Sequence, residues 1–119
     1  MAKIMVVDDD KMVTSLLEKL LSIDGHQAVV INDSSIALDT ALKSKPDLFL
    51  LDLMMPQPDG FKLCRMLREI PEFAYTPIII ITALDDNDSR VVAFGAGAND
   101  YITKPFLPDD LTARINDLL

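Results

Sequence analysis

Three observations predict an α/β fold, a doubly wound sheet of five parallel strands in the order 2-1-3-4-5. Short apolar runs alternate with amphipathic stretches along the whole chain, so strands and helices take turns. The runs Leu48-Phe49-Leu50-Leu51 and Ile78-Ile79-Ile80-Ile81 are apolar without interruption, the mark of strands covered on both faces. The connections are short, which calls for right-handed crossovers and helices on both sides of a parallel sheet.

Taken in order, Lys3 to Val7 is the first strand, stopped by the consecutive acids Asp8, Asp9 and Asp10. Val13, Leu16, Leu17 and Leu20 fall at i, i+3, i+4 and i+7, predicting a helix from about Asp10 to Ile23 that ends near Gly25. His26, the only histidine, is expected to be an exposed residue just past that stop, and a second strand runs from about His26 to Ile31. Asn32, Asp33, Ser34 and Ser35 offer capping groups to a second helix carrying Ala37, Leu38, Ala41 and Leu42, which Pro46 ends.

Leu48 to Leu51 is the third strand, stopped by Asp52 and a turn rich in Pro, Asp and Gly through Gly60. Met54 and Met55 in that turn read as core and loop filling. A third helix follows with Leu63, Met66, Leu67 and Ile70 on one face, ending before Pro71. The β-branched run Ile78 to Ile81 is the fourth strand and stops on Thr82. Acids from Asp85 to Asp88 open a fourth helix, where they meet the positive end of its dipole, and Val91, Phe94 and Ala98 are expected to face inward. Tyr101 to Thr103 is a short fifth strand stopped by Lys104-Pro105. A last helix runs from about Pro108 with Leu111, Ile115, Leu118 and Leu119 on its apolar face.

Composition narrows the function. At 119 residues and 13.2 kDa, with 50% hydrophobic and 25% charged residues, the chain is expected to form one globular domain over residues 1–119. Its apolar runs are far too short to span a membrane and its N-terminus enters a strand directly, so a cytoplasmic location is expected. The lone Cys64 cannot form an internal disulfide and is expected in the core. A net charge of −8 argues against nucleic-acid binding and suits a divalent cation site.

The strand order then gathers chemistry at one edge. Strands one and three are neighbours at the switch point, where doubly wound sheets bind ligands, so Asp8, Asp9 and Asp52 converge. Thr82 and Lys104 end strands four and five on the same edge. Three crowded carboxylates repel, and Mg²⁺, which takes oxygen ligands and accompanies phosphates, is the natural counter-charge. A carboxylate can also attack a phosphoryl group, a reaction that depends on positioning and charge neutralisation. Asp52 is then the nucleophile, Asp8 and Asp9 hold the metal, Lys104 supplies a cation and Thr82 a hydroxyl.

Those residues carry a resemblance that extends over essentially the whole chain. Val6-Val7-Asp8-Asp9, Asp52-Leu53-Met54-Met55-Pro56 with Asp59-Gly60, Thr82-Ala83, and Tyr101-Ile102-Thr103-Lys104-Pro105-Phe106 resemble the receiver domain of bacterial two-component response regulators, with a flavodoxin-like fold. The resemblance implies that Asp52 accepts a phosphoryl group from the phosphohistidine of a sensor histidine kinase or phosphotransfer protein. It assigns Mg²⁺ to Asp9, Asp52 and the Met54 backbone carbonyl, with Asp8 acting largely through water. It pairs Lys104 with the phosphoryl group, makes Thr82 and Tyr101 the switch, and makes Lys104-Pro105 a candidate cis bond. The face of the fourth helix, fifth strand and fifth helix would then change, controlling an output domain, a downstream protein or a homodimer. Stretches at Thr82-Ala83-Leu84-Asp85 and Asp110 to Arg114 are similar to receivers joined to cyclic-dinucleotide-synthesising domains. The chain stops at the end of the fifth helix, as either a stand-alone receiver or one taken from a longer regulator would.

Other readings exist beside this one. Asp8-Asp9-Asp10 contains the Asp-x-Asp of haloacid-dehalogenase-like phosphatases, although Met12 stands where that motif carries Thr or Val. A flavodoxin-type redox carrier needs a phosphate loop that three aspartates would repel. A receiver-like interaction module that never carries phosphate is the remaining alternative. Met54 and Leu84 are expected to flank the path of attacking water, and neither can orient it, so a stored phosphoryl group is expected to persist.

Overall fold

The computed structural model describes residues 2–119. Five strands, β1 (Lys3–Val7), β2 (Gln27–Ile31), β3 (Leu48–Leu51), β4 (Ile78–Thr82) and β5 (Asp100–Thr103), alternate with five helices. These are α1 (Lys11–Ile23), α2 (Ala37–Ser44), α3 (Gly60–Glu69), α4 (Asn87–Gly95) and α5 (Pro108–Leu118). The strands form one parallel sheet in the order β2-β1-β3-β4-β5. Two 3-10 turns, Ser34–Ile36 before α2 and Pro71–Phe73 after α3, were not anticipated by the apolar pattern.

Each strand feeds two cores, because alternate side chains point to opposite faces. Ile4, Val6, Leu48, Leu50, Ile79, Ile81 and Ile102 pack with Leu17, Leu21, Leu111 and Ile115 from α1 and α5. Met5, Val7, Phe49, Leu51, Ile78, Ile80 and Tyr101 pack with α2, α3 and α4 on the other side, where Phe73 meets Phe49 edge-on at 5.3 Å. Every position of β3 and β4 is buried, which is why those runs contain no polar residue until the sheet edge. At about 1.5–3 kcal/mol for each large side chain, this two-sided burial is the main stabilising contribution. Cys64 lies in the same core, and burial pushes its thiol up to about 11.

Acidic side chains begin three of the helices. Asp10 accepts from the Met12 and Val13 amides, Asp59 from Lys62 and Asp86 from Ser89. Each such cap contributes about 1 kcal/mol. The bonds from Ser89 also hold the Asp86 carboxyl below its ordinary range.

Several expectations need correction. On α1 the buried positions are Thr14, Leu17 and Leu21, whereas Leu16 is 49% exposed. On α4 the inward residue is Ala93, followed by Ala96 and Ala98, while Val91 is 69% and Phe94 47% exposed. Alanines fill the buried side of α4, and the larger residues lie on its outer side. His26 is half-buried rather than a free loop residue, its Nδ1 accepting from the Ala2 amide at 3.1 Å. Met55 is buried, but Met54 projects from the β3–α3 loop with 55% of its surface exposed. Leu119 follows α5 and lies at the surface.

At the edge opposite the carboxylates, the Arg68 guanidinium donates to the carbonyls of Phe73, Thr76 and Gly97 and to the Asn99 side chain. It ties the exits of α3 and α4 together.

Candidate functional site

The pairing of β1 with β3 sets the site. Val7 and Leu51 are register partners, so the next residues, Asp8 and Asp52, leave the sheet side by side. Their backbones continue the ladder for one more step, with the Asp8 amide donating to Ile31 at 3.1 Å and the Asp52 amide to Val7 at 3.0 Å. Both carboxylates are buried, Asp9 beside them is exposed, and an oxygen from each of the three lies within 4.8 Å of the others. Two unit charges at that separation repel by about 3.5 kcal/mol at an effective dielectric constant of about 20.

Lys104 enters from the far side. Its backbone amide donates to Thr82 at 2.8 Å, linking the ends of β4 and β5. Its ammonium lies 2.7 Å from Asp8 Oδ2 and 3.2 Å from Asp52 Oδ2. Asp52 Oδ1 accepts from the Met54 amide at 3.2 Å, and Asp8 Oδ1 from the Asp10 amide at 2.9 Å. One ammonium thus faces a group of three acids. Burial raises the Asp8 carboxyl above its ordinary pKa, an effect that the Lys104 and Asp10 bonds only partly offset and that the Asp52 charge reinforces. Burial acts to lower Lys104, but its bond to Asp8 and the charges of Asp52 and Asp8 outweigh that and leave its pKa raised. Excess negative charge among oxygen donors is the environment a hard divalent cation takes. The donor set therefore fits Mg²⁺.

Thr82 is fully buried at the end of β4, and its hydroxyl accepts from the Leu84 amide at 3.4 Å. Tyr101 is not part of the carboxylate cluster. It lies beneath α4, with its hydroxyl donating to the Leu84 carbonyl at 2.6 Å, the Arg90 guanidinium 4.7 Å above its ring, and Phe94 tilted against it. Thr82 and Tyr101 consequently meet through the backbone of one residue, Leu84. The Lys104–Pro105 peptide bond is cis, as is Gln57–Pro58, which nothing in the sequence singled out.

Two further features escaped sequence reasoning. Gly60 begins α3 directly against the Asp52–Leu53 backbone, and a Cβ at this position would overlap the Asp52 carbonyl oxygen. Asn32 and Ser34, read from the sequence as helix caps, instead reach across the edge to the Asp8 and Pro56 carbonyls. The available signal was their position, since polar residues at the exit of β2 lie on the edge that carries Asp8 and Asp52. Asp33 performs the capping, accepting from the Ser35 amide.

Residues 4–116 match the family model described as the response regulator receiver domain. The response regulator MprA of Mycobacterium leprae is 41% identical over 98% of this chain and 50% of its own length. The probable transcriptional regulator ycf27 of Porphyridium aerugineum is 42% identical over 98% and 48%. The chain thus spans about half the length of the curated relatives it matches. Among solved structures, the BeF3-activated N-terminal receiver domain of Klebsiella pneumoniae RstA superposes with a TM-score of 0.90 at 37% identity, covering 96% of this chain and 95% of that one. The Vibrio cholerae chemotaxis protein CheY4 does so with a TM-score of 0.95 at 27% identity, covering 100% and 99%. None of the described helices is long and apolar enough to cross a membrane. With strand order, carboxylate cluster and sequence match all in agreement, the chain belongs to the response regulator receiver domain family.

Proposed function

We propose that residues 1–119 form one receiver module in which Asp52 takes a phosphoryl group from the phosphohistidine of a sensor histidine kinase or phosphotransfer protein, in the cytoplasm and with Mg²⁺. The observation that carries this reading is the single Lys104 ammonium shared by Asp8 and Asp52 with Asp9 alongside. Asp9, Asp52 and the Met54 carbonyl are assigned to the cation, with Asp8 acting through water. When bound, Mg²⁺ supplies positive charge to the transferring phosphoryl oxygens.

The chain's own residues do the rest. A carboxylate oxygen of Asp52 forms the new bond to phosphorus as the bond to the donor imidazole breaks. Burial of Asp52 keeps bulk water from competing for that position. Lys104 is already beside the nucleophile and pairs with the incoming negative oxygens, releasing part of its hold on Asp8. The Thr82 hydroxyl turns toward the phosphoryl group and leaves the Leu84 amide, a loss made small by the 3.4 Å length of that bond. Leu84 then shifts with the hydroxyl of Tyr101 attached to its carbonyl, and the surface formed by α4, β5 and α5 changes. That surface is assigned to an output domain, a downstream protein or a second copy.

The test is incubation with Mg²⁺ and a small acyl phosphate, followed by intact mass. Wild type should gain one alkali-labile phosphoryl group and Asp52→Asn none. Absence of the group in wild type refutes the reading in favour of a phosphate-free module. Continuous release of phosphate from many small esters refutes it in favour of a phosphatase.

A further inference from the structure

The loop that follows β2 touches both of the loops assigned to the cation, and it does so through side chains. The Asn32 carboxamide donates to the Asp8 carbonyl at 2.9 Å and to the Thr14 hydroxyl at 3.0 Å. Thr14 is 2% exposed and donates in turn to the Lys11 carbonyl at 3.2 Å, so Asn32 is braced against the first turn of α1. Two residues on, the Ser34 hydroxyl, on a residue 5% exposed, donates to the Pro56 carbonyl at 2.9 Å. β2 is an edge strand that pairs only with β1, so Ser34 reaches past its neighbour to the loop of the next strand. Among the described residues, this is the only side-chain hydrogen bond that reaches segment 53–58 from another element.

These contacts oppose the forces at the site. Asp8, Asp9 and Asp52 repel one another, and the loops bearing them spread apart unless something holds their backbones. Pro56 and Pro58 contribute no amide hydrogen, which leaves the β3–α3 loop short of backbone bonds. We propose that Asn32 and Ser34 are positioning residues for the cation: a clamp from the β2–α2 loop that keeps the β1–α1 acids and the Met54 carbonyl at ligand spacing. Neither side chain is a ligand. Both are neutral, so the clamp adds no charge to an already acidic cluster. This rests on the assignment of Mg²⁺ to Asp9, Asp52 and the Met54 carbonyl. Outer groups that orient metal ligands are generally worth about 10-fold to 100-fold in metal affinity.

The test is calorimetric titration of the full chain with Mg²⁺. The variants are Asn32→Leu, which keeps the shape and removes both donors, Ser34→Ala, and the two combined. Asp9→Asn is the ligand control. Arg68→Met is the stability control, because it removes several hydrogen bonds at the opposite sheet edge. Circular dichroism melts in chelator establish that every variant is folded at the titration temperature. Each clamp variant should bind Mg²⁺ about tenfold more weakly and the double variant more weakly still, with Arg68→Met at wild-type affinity. Clamp variants that bind like wild type while Asp9→Asn fails overturn the clamp and leave the metal assignment standing. An equal loss in Arg68→Met overturns it too, since the effect is then general loosening. Wild type that takes up no Mg²⁺ overturns the metal assignment and the clamp with it.

Discussion

Replacing Gly60 by alanine should disable phosphorylation from a position that touches no phosphate. Gly60 is buried at the start of α3, and its φ is not positive, so backbone strain does not explain a glycine there. Close approach does. A Cβ on residue 60 would overlap the Asp52 carbonyl oxygen and lie 2.7 Å from Leu53 Cα and 2.8 Å from the Asp52 carbonyl carbon. Ordinary contact begins near 3.4 Å, so backbone must retreat by about 0.7 Å at least, and two of the three atoms in the way belong to the backbone of the nucleophile itself. Overpacking of this kind costs about 1–3 kcal/mol, or roughly 4–12 °C in melting temperature for a domain of this size. A displacement approaching 1 Å at a reacting group costs about 100-fold in rate. The assay is Asp52 phosphorylation by a small acyl phosphate with Mg²⁺, followed over time on a phosphate-affinity gel, beside a thermal melt. Gly95→Ala is the matched control, since nothing lies within 4 Å of a Cβ there. It should gain about 0.5–1 kcal/mol from reduced chain entropy and phosphorylate normally. Wild-type rate and melting temperature in Gly60→Ala would refute the argument.

The remaining predictions concern the edge. Folded Asp8 holds its proton to higher pH than the unfolded residue, whose ordinary value is 3.8. Folding therefore takes up protons just above that value, and the stability of wild type relative to Asp8→Asn should fall as pH rises from there toward neutrality without divalent cation. Melts across that range check the sign, and a difference that grows with pH would contradict it. Tyr101→Phe loses the bond to the Leu84 carbonyl while keeping the ring under Arg90, and should cost about 1 kcal/mol, or about 4 °C, without slowing phosphorylation of Asp52. Met54 is exposed and Leu84 half-buried, and both side chains are apolar, so neither orients water. Installing Asn at 54 and Glu at 84 should shorten the lifetime of the phosphoryl group by about 10-fold or more, as read by its decay after donor removal. An unchanged lifetime would remove these positions from the mechanism.

The strands were legible because burial on two faces leaves no choice of residue type. Lys3–Val7 is bounded by polarity in the sequence and by the end of the strand in the structure at the same residue, and Asp52 and Thr82 likewise mark where β3 and β4 end. The convergence of Asp8, Asp9 and Asp52 followed from strand order, which alternation and short connections determine. What stayed hidden depends on proximity rather than pattern. Apolar size suggested Val91 and Phe94 as the inward face of α4, but the buried position is Ala93. Asn32 and Ser34 carry residue types that capping already explains, so only their position at the exit of β2 pointed toward their reach to Asp8 and Pro56. Arg68 looks like any helical arginine until the loops it binds are assembled around it.

The Val7–Leu51 pairing has a consequence for how this sequence can drift. Neighbouring strands are held about 4.8 Å apart by backbone hydrogen bonds, whatever side chains they carry. Asp8 and Asp52 inherit that spacing as the first residues beyond the pair. The sheet acts as a ruler whose marks are written in main chain, so Leu, Ile and Val can interchange through β1, β3 and β4 without altering the distance between the acids. Within the strands themselves a slip of register would alter it, and a slip of one residue would reverse every side chain on the strand, exchanging the two cores and displacing the carboxylate from its partner. Variation in the interior and constancy at the edge are therefore compatible.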